Sequence, residues 1–139
     1  MNKKILLKIS VLLLLMLILS QSILALGVRP AKTMVDSNEI KEYSGSFWVI
    51  NNDMKQLNLK VHIAGEMGKY LFVEQEELTL RDDEEAAEVK FSLVLSGEVP
   101  PGESVAIIVV EEEIESSYVG VVSSKIVLKH KIRITGDYP

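Results

Sequence analysis

Nucleophilic catalysis needs a hydroxyl or thiol beside a base, and this chain of 139 residues has few residues able to form such a pair. It has no cysteine and two histidines, His62 and His130. No G-x-S-x-G elbow occurs, and Ser46 and Ser104 sit in ordinary strand or loop contexts. A zinc site with two histidines would have to lean on carboxylates. Three acidic clusters supply them: Glu74/Glu76/Glu77, Asp82/Asp83/Glu84/Glu85 and Glu111/Glu112/Glu113/Glu115. None carries the D-x-[DN]-x-[DN]-G spacing of a calcium loop, so solvated turns are expected rather than a cation site. His62 is expected on the wet side of its strand. His130 shares a face with Leu128 and Ile132 and is expected partly buried and hydrogen-bonded, or at a bulge. The expectation is therefore a non-enzyme with no metal, no cofactor and no small-molecule substrate.

The elements that would carry these side chains are short and apolar at period two. Residues 88–113 read as two strong strands joined by a Pro-Gly loop, a hairpin on which the rest packs. Val89, Phe91, Leu93 and Leu95 alternate with Lys90 and Ser92, which marks a strand with one buried face. Residues 105–110 contain no polar side chain and read as a central strand covered on both faces. Pro100, Pro101 and Gly102 break the pattern between them. Further strands are expected at 29–35, 43–50, 57–63, 70–73, 78–80, 119–122 and 125–134, with loops at 36–42 and 111–117. Turns about every 8–12 residues and no persuasive helix point to an all-β, immunoglobulin-like β-sandwich of seven to nine strands.

The amino-terminal stretch has a different composition. Lys3, Lys4 and Lys8 lead into an apolar run, followed by Ser20, Ser22, Ala25 and Gly27. That order describes a secretory signal, with the cut expected after Gly27 and cuts after Ser22 or Ala25 as alternatives. Residues 5–26 are also long enough for an uncleaved membrane anchor. Residues 1–27 are assigned to this signal or anchor, and 28–139 to one domain. Either reading places the domain outside the cytoplasm, secreted or held at the membrane. Loss of the three lysines changes the formal charge from −5 to −8. Such an acidic domain repels phosphate backbones, so nucleic acid is not an expected partner. Without cysteine no disulfide can hold the exported domain, and its stability must come from its core.

Surplus apolar surface is the clearest functional signal. If Phe47 and Val49 face the core, Trp48 and Ile50 face away. Placing Ile107 and Val109 inside leaves Ala106, Ile108 and Val110 outside, with Val94 on its own strand beside them. Trp48, Ile50, Val94, Ala106, Ile108 and Val110 are thus the candidate partner-binding residues.

The segments SGSFWVINND, LNLKVHI, LFVEQEELTL, EVKFSLVL and PPGESVAIIVV, in this order, resemble immunoglobulin-like domains of the pilus-chaperone and major-sperm-protein type. They resemble still more the relatives of those domains in archaeal and bacterial envelope proteins. The points of match are Val49-Ile50-Asn51 before a turn, residues 73–80 before a strand, and the loop Pro100-Pro101-Gly102. Pilus chaperones also use a basic pair to anchor a subunit carboxylate. Arg29 matches the first member by position and no second stands out, so chaperone activity does not carry over. Relatives of this group continue into further domains after a tail such as Asp137-Tyr138-Pro139, so a short member or part of a longer product is expected. The implied function is a non-catalytic envelope protein that assembles with other envelope proteins. The alternative is a periplasmic-chaperone-like protein that holds exported subunits by strand addition. A metal-dependent hydrolase using His130 and an acid cluster stands as a third reading.

Overall fold

The computed structural model describes residues 2–19, 26–113 and 125–138. Helix α1 (Lys3–Leu19) precedes nine strands: β1 (Leu26–Arg29), β2 (Lys32–Asp36), β3 (Glu42–Asn51), β4 (Leu57–Ala64), β5 (Leu71–Val73), β6 (Glu77–Leu80), β7 (Ala86–Val94), β8 (Gly102–Glu112) and β9 (Val127–Gly136). The side chains of residues 3–18 in α1 are exposed, and no described helix is long and apolar enough to cross a membrane. The strand expected at 119–122 lies outside the described residues.

The strands form two sheets, of order β1-β3-β7-β5 and β2-β9-β8-β4-β6. Their inner faces meet in one core of apolar side chains, among them Phe47, Leu59, Leu80, Leu93, Ile108, Ile132 and Ile134. The nine-strand, all-β sandwich agrees with the sequence expectation, but three details differ.

The segment 29–35 is two strands. Pro30 has no N–H to continue a ladder, and at Pro30-Ala31 the chain leaves β3 and crosses to the other sheet. There β2 lies parallel to β9, with Lys32 opposite Lys131 and Asp36 opposite Thr135. The pair expected at 88–113 is not a hairpin: β7 and β8 lie in different sheets. Residues 95–101, stiffened by Pro100 and Pro101, span the roughly 10 Å between layers instead of reversing within one. Finally, β8 is central as expected but opposite in phase. Ala106, Ile108 and Val110 are fully buried in the core, and Ile107 is half-buried on the outer side. An all-apolar run cannot set its own phase. Its flanks do, since outward Glu103 and Glu111 share parity with 105, 107 and 109.

Two buried polar residues organise the loops and the sheet crossing. Asn51 ends β3, and its Nδ2 donates to the carbonyls of Lys55 (2.8 Å), Glu84 (3.2 Å) and Arg81 (3.4 Å). One amide thereby joins the β3–β4 and β6–β7 turns. In the β4–β5 connection, Gly65 has φ +89°, and a side chain there would meet the carbonyl of Val105.

His130 on β9 is fully buried and stacks on Phe47 at 4.6 Å between ring centres, with Phe91 at 5.5 Å. Its Nδ1 lies 2.7 Å from the Pro30 carbonyl and its Nε2 2.9 Å from Thr33 Oγ1. A carbonyl only accepts, so Nδ1 carries the proton and Nε2 accepts from the threonine hydroxyl. The ring thus grips the crossing chain on both sides, just where it changes sheets.

Burial in this apolar surround pushes the His130 pKa below its ordinary value, against the smaller opposing effect of the Pro30 carbonyl. The folded state therefore keeps the ring neutral, while the unfolded chain takes up a proton near pH 6.5. Its contribution to stability should be complete above about pH 6.5 and decline as pH falls from there toward the depressed folded value. The slope should be at most about 1.4 kcal/mol per pH unit. Urea midpoints measured from pH 7.5 downward should show this slope, and His130→Gln should remove it. An unchanged slope in the variant would assign the effect to other groups.

Candidate interaction surface

The outer face of the four-stranded sheet is set by the parity of β3 and β7. Val89, Phe91 and Leu93 point inward on β7, as Phe47 and Val49 do on β3. This turns Glu42, Ser44, Ser46, Trp48 and Ile50 outward, opposite Val94, Ser92, Lys90, Glu88 and Ala86 respectively. Trp48 is 45% exposed in the middle of a strand whose two adjacent residues are fully buried. Arg29 on β1 and Glu88 on β7 flank it in register. Ile50, half-buried, lies between Gly27 and Ala86, neighbours too small to cover it.

Of the six residues expected at a partner surface, the structure brings together two, Trp48 and Ile50. Val94 is on the same face but six positions along β7 from Glu88, roughly 20 Å away at strand rise. Ala106, Ile108 and Val110 cannot contribute, because they fill the core. The outward side of β8 instead carries Val105, Ile107 and Val109, bordered by Arg133, Lys131 and Lys129 on β9. Sequence reading missed Phe72, 59% exposed on β5 next to Ser92. The inward Leu71 before it was the available clue.

Between Phe72 and Trp48 the face is lower. Ser44, Ser46 and Ser92 form its floor, and Glu74, Glu88 and Lys90 stand around a trough of about 480 Å³. A second groove of about 510 Å³ lies against β4, lined by Lys60, His62, Gln75, Glu76, Glu77 and Glu111. Neither opens onto Thr33 or His130. The Thr33–His130 contact has the spacing of a nucleophile and base, but His130 is fully buried against Phe47 and Phe91. Both ring nitrogens are already engaged, which leaves no lone pair for a metal. His62 is exposed, as expected.

The acids lie dispersed along the surface. Arg81 Nε donates to Glu84 at 2.8 Å, and this bond holds the Glu84 carboxyl below its ordinary pKa. Lys60 pairs with Glu113 and Lys125 with Glu111, each at 3.3 Å. Among the described residues no three His, Asp or Glu converge on one point.

No family model matches the chain, and no curated protein matches it. Solved structures do. The E. coli chaperone DraB aligns with TM-score 0.57 and 17% identity over 78% of this chain and 53% of its own. The Salmonella enterica complex of SafA pilin with the SafB chaperone aligns with TM-score 0.58 and 9% identity, over 85% of this chain and 57% of the matched one. The ASH/PapD-like domain 7 of human CEP192 aligns with TM-score 0.55 and 9% identity, over 83% of this chain and 87% of its own. The chain spans about half the length of the chaperone chains and nearly all of the human domain. At these identities the shared property is the fold alone. The chain has the immunoglobulin-like fold of the PapD-like type seen in pilus chaperones and ASH domains.

Proposed function

We propose that this chain is a non-catalytic, extracytoplasmic protein-interaction module that assembles with other proteins of the cell envelope, docking through the Trp48–Ile50 end of its four-stranded sheet. The observation that carries this is Trp48, an indole left 45% exposed between two fully buried residues. Large aromatic side chains flanked by charge are the usual anchors of protein interfaces. The fold supports the reading, since its neighbours include chaperones, one of them in complex with a pilin. The basic and apolar start of the chain supports the compartment.

One specific feature favours chaperone-like strand addition as the second reading. β2 covers β9 at residues 131–135, whereas at 127–130 the described partner of β9 is β8 on its other side. An extended segment can pair with such a half-edge.

Leu26 bears on processing. It is 6% exposed in the core and opens β1, so a cut after Gly27 would remove half of that strand. A cut after Ser22 or Ala25 leaves it whole. Retention of the segment as an anchor does the same.

Three outcomes follow. Trp48→Ala should weaken co-purification with envelope partners at least about tenfold, roughly 1.4 kcal/mol, while shifting the melting temperature little. A variant that melts lower yet associates normally would end the docking reading. A donor-strand peptide should slow amide exchange at residues 127–130 if the second reading holds, and unchanged exchange would dismiss it. Mass determination of the mature protein should find a terminus at or before Leu26. A start at Val28 would show that β1 does not need Leu26.

A further inference from the structure

β5 ends after three residues, and the strand it accompanies does not. Its register covers residues 91–93 of β7, after which the chain leaves for the other sheet. β7 extends back to Ala86 with β3 on its far side. The direction of its free backbone groups follows from the ends of the β3 ladder. Asn51 N donates to the Glu85 carbonyl and Leu95 N to the Lys41 carbonyl, each at 2.8 Å. Antiparallel ladders alternate, so odd-numbered residues of β7 address β3 and even-numbered ones point away. Ser92 meets Phe72 of β5. Ala86, Glu88 and Lys90 lie beyond the end of β5 and present a ready template for another strand.

The side chains around this stretch are equally unclaimed. The trough runs along it, with Phe72 and Val73 at one end and Glu88 and Lys90 beside it. Among the described residues neither Glu88 nor Lys90 forms an ion pair. Val89 between them is fully buried, and Ala87 packs at the rim of the core.

We propose that this half-edge of β7 binds an extended segment of a partner protein, antiparallel to β7 and in line with β5. The matching segment places an acid opposite Lys90, an apolar residue opposite Val89 and a base opposite Glu88, since directly opposed residues share a face and opposite charges there attract. This rests on the reading of the chain as a protein-interaction module and adds a second contact beside the Trp48 end, with Glu88 at their border. A second copy centred on the Glu88–Lys90 stretch fits poorly. A two-fold axis at Glu88 sets carboxylate against carboxylate. An axis at Val89 drives the copy's Ala87 onto Phe91, where Val73 already sits.

The test uses the full chain, isotope-labelled in detergent, and two capped pentapeptides, Glu-Val-Lys-Val-Thr and the reversed-charge Lys-Val-Glu-Val-Thr. The first should shift and protect the amides of Ala86, Glu88 and Lys90 at millimolar concentration, and the second should bind about tenfold more weakly. The double variant Glu88→Lys/Lys90→Glu should invert that preference while leaving the amide spectrum elsewhere unchanged. Equal binding of both peptides, no shift at the three amides, shifts confined to residues 127–130, or dimerisation through β7 would each overturn the proposal. If the peptides fail while Trp48→Ala still weakens association, only the β7 site falls. If the peptides behave as expected while Trp48→Ala associates normally, only the Trp48 docking reading falls.

Discussion

One buried imidazole holds this architecture at its most demanding point. The chain must leave one sheet and join the other at Pro30, where a backbone carbonyl has no ladder partner of its own. The fully buried imidazole N–H, left without an acceptor, would cost about 1–3 kcal/mol. His130 supplies the donor from one ring nitrogen and takes the Thr33 hydroxyl with the other, while its ring completes the aromatic packing with Phe47 and Phe91. A leucine of similar size would pack but could not bond, and an asparagine would bond but not stack. The position therefore asks for a histidine on structural grounds.

The same crossing explains the outer surface. Because β1 leaves the four-stranded sheet after four residues and β5 after three, β3 and β7 each run on past their edge partners. The five-stranded sheet mirrors this, with β2 and β6 covering only parts of β9 and β4. Each edge of the sandwich is thus half covered. Short edges limit indiscriminate strand pairing, and the remaining lengths suit brief extended segments better than whole sheets.

Much of the strand set could be read from the chain because one-sided strands record their orientation in alternation. β7 and β9 did so clearly, with Lys90 and Ser92 or Lys129, Lys131 and Arg133 marking the wet side. Pairing is not recorded that way. Nothing in residues 88–113 says whether two adjacent strands share a sheet, so the link through Pro100 and Pro101 read as a hairpin loop. The phase of β8 was lost for a related reason: six apolar residues in a row give no contrast, and only Glu103 and Glu111 outside the run fix it. Half of the candidate surface was lost with that phase. The outward orientation of Trp48 and Ile50 was legible because the strand that carries them has Ser44 and Ser46 on the same side. Parallel pairing of β2 with β9, between segments about a hundred residues apart, left no local trace.

That parallel pairing also sets the order in which the molecule can be completed. Lys32 at the start of β2 waits for Lys131, and Pro30 and Thr33 wait for His130. Ribosomes deliver the amino end first, so β2 emerges with no strand to pair with until the last one has been made. The four-stranded sheet can assemble once Val94 is out, but the five-stranded sheet stays open on its β2 side until residues 131–135 arrive. The fold is thereby finished by its final strand, and a chain interrupted before it would leave β2 and one edge of β8 unpaired.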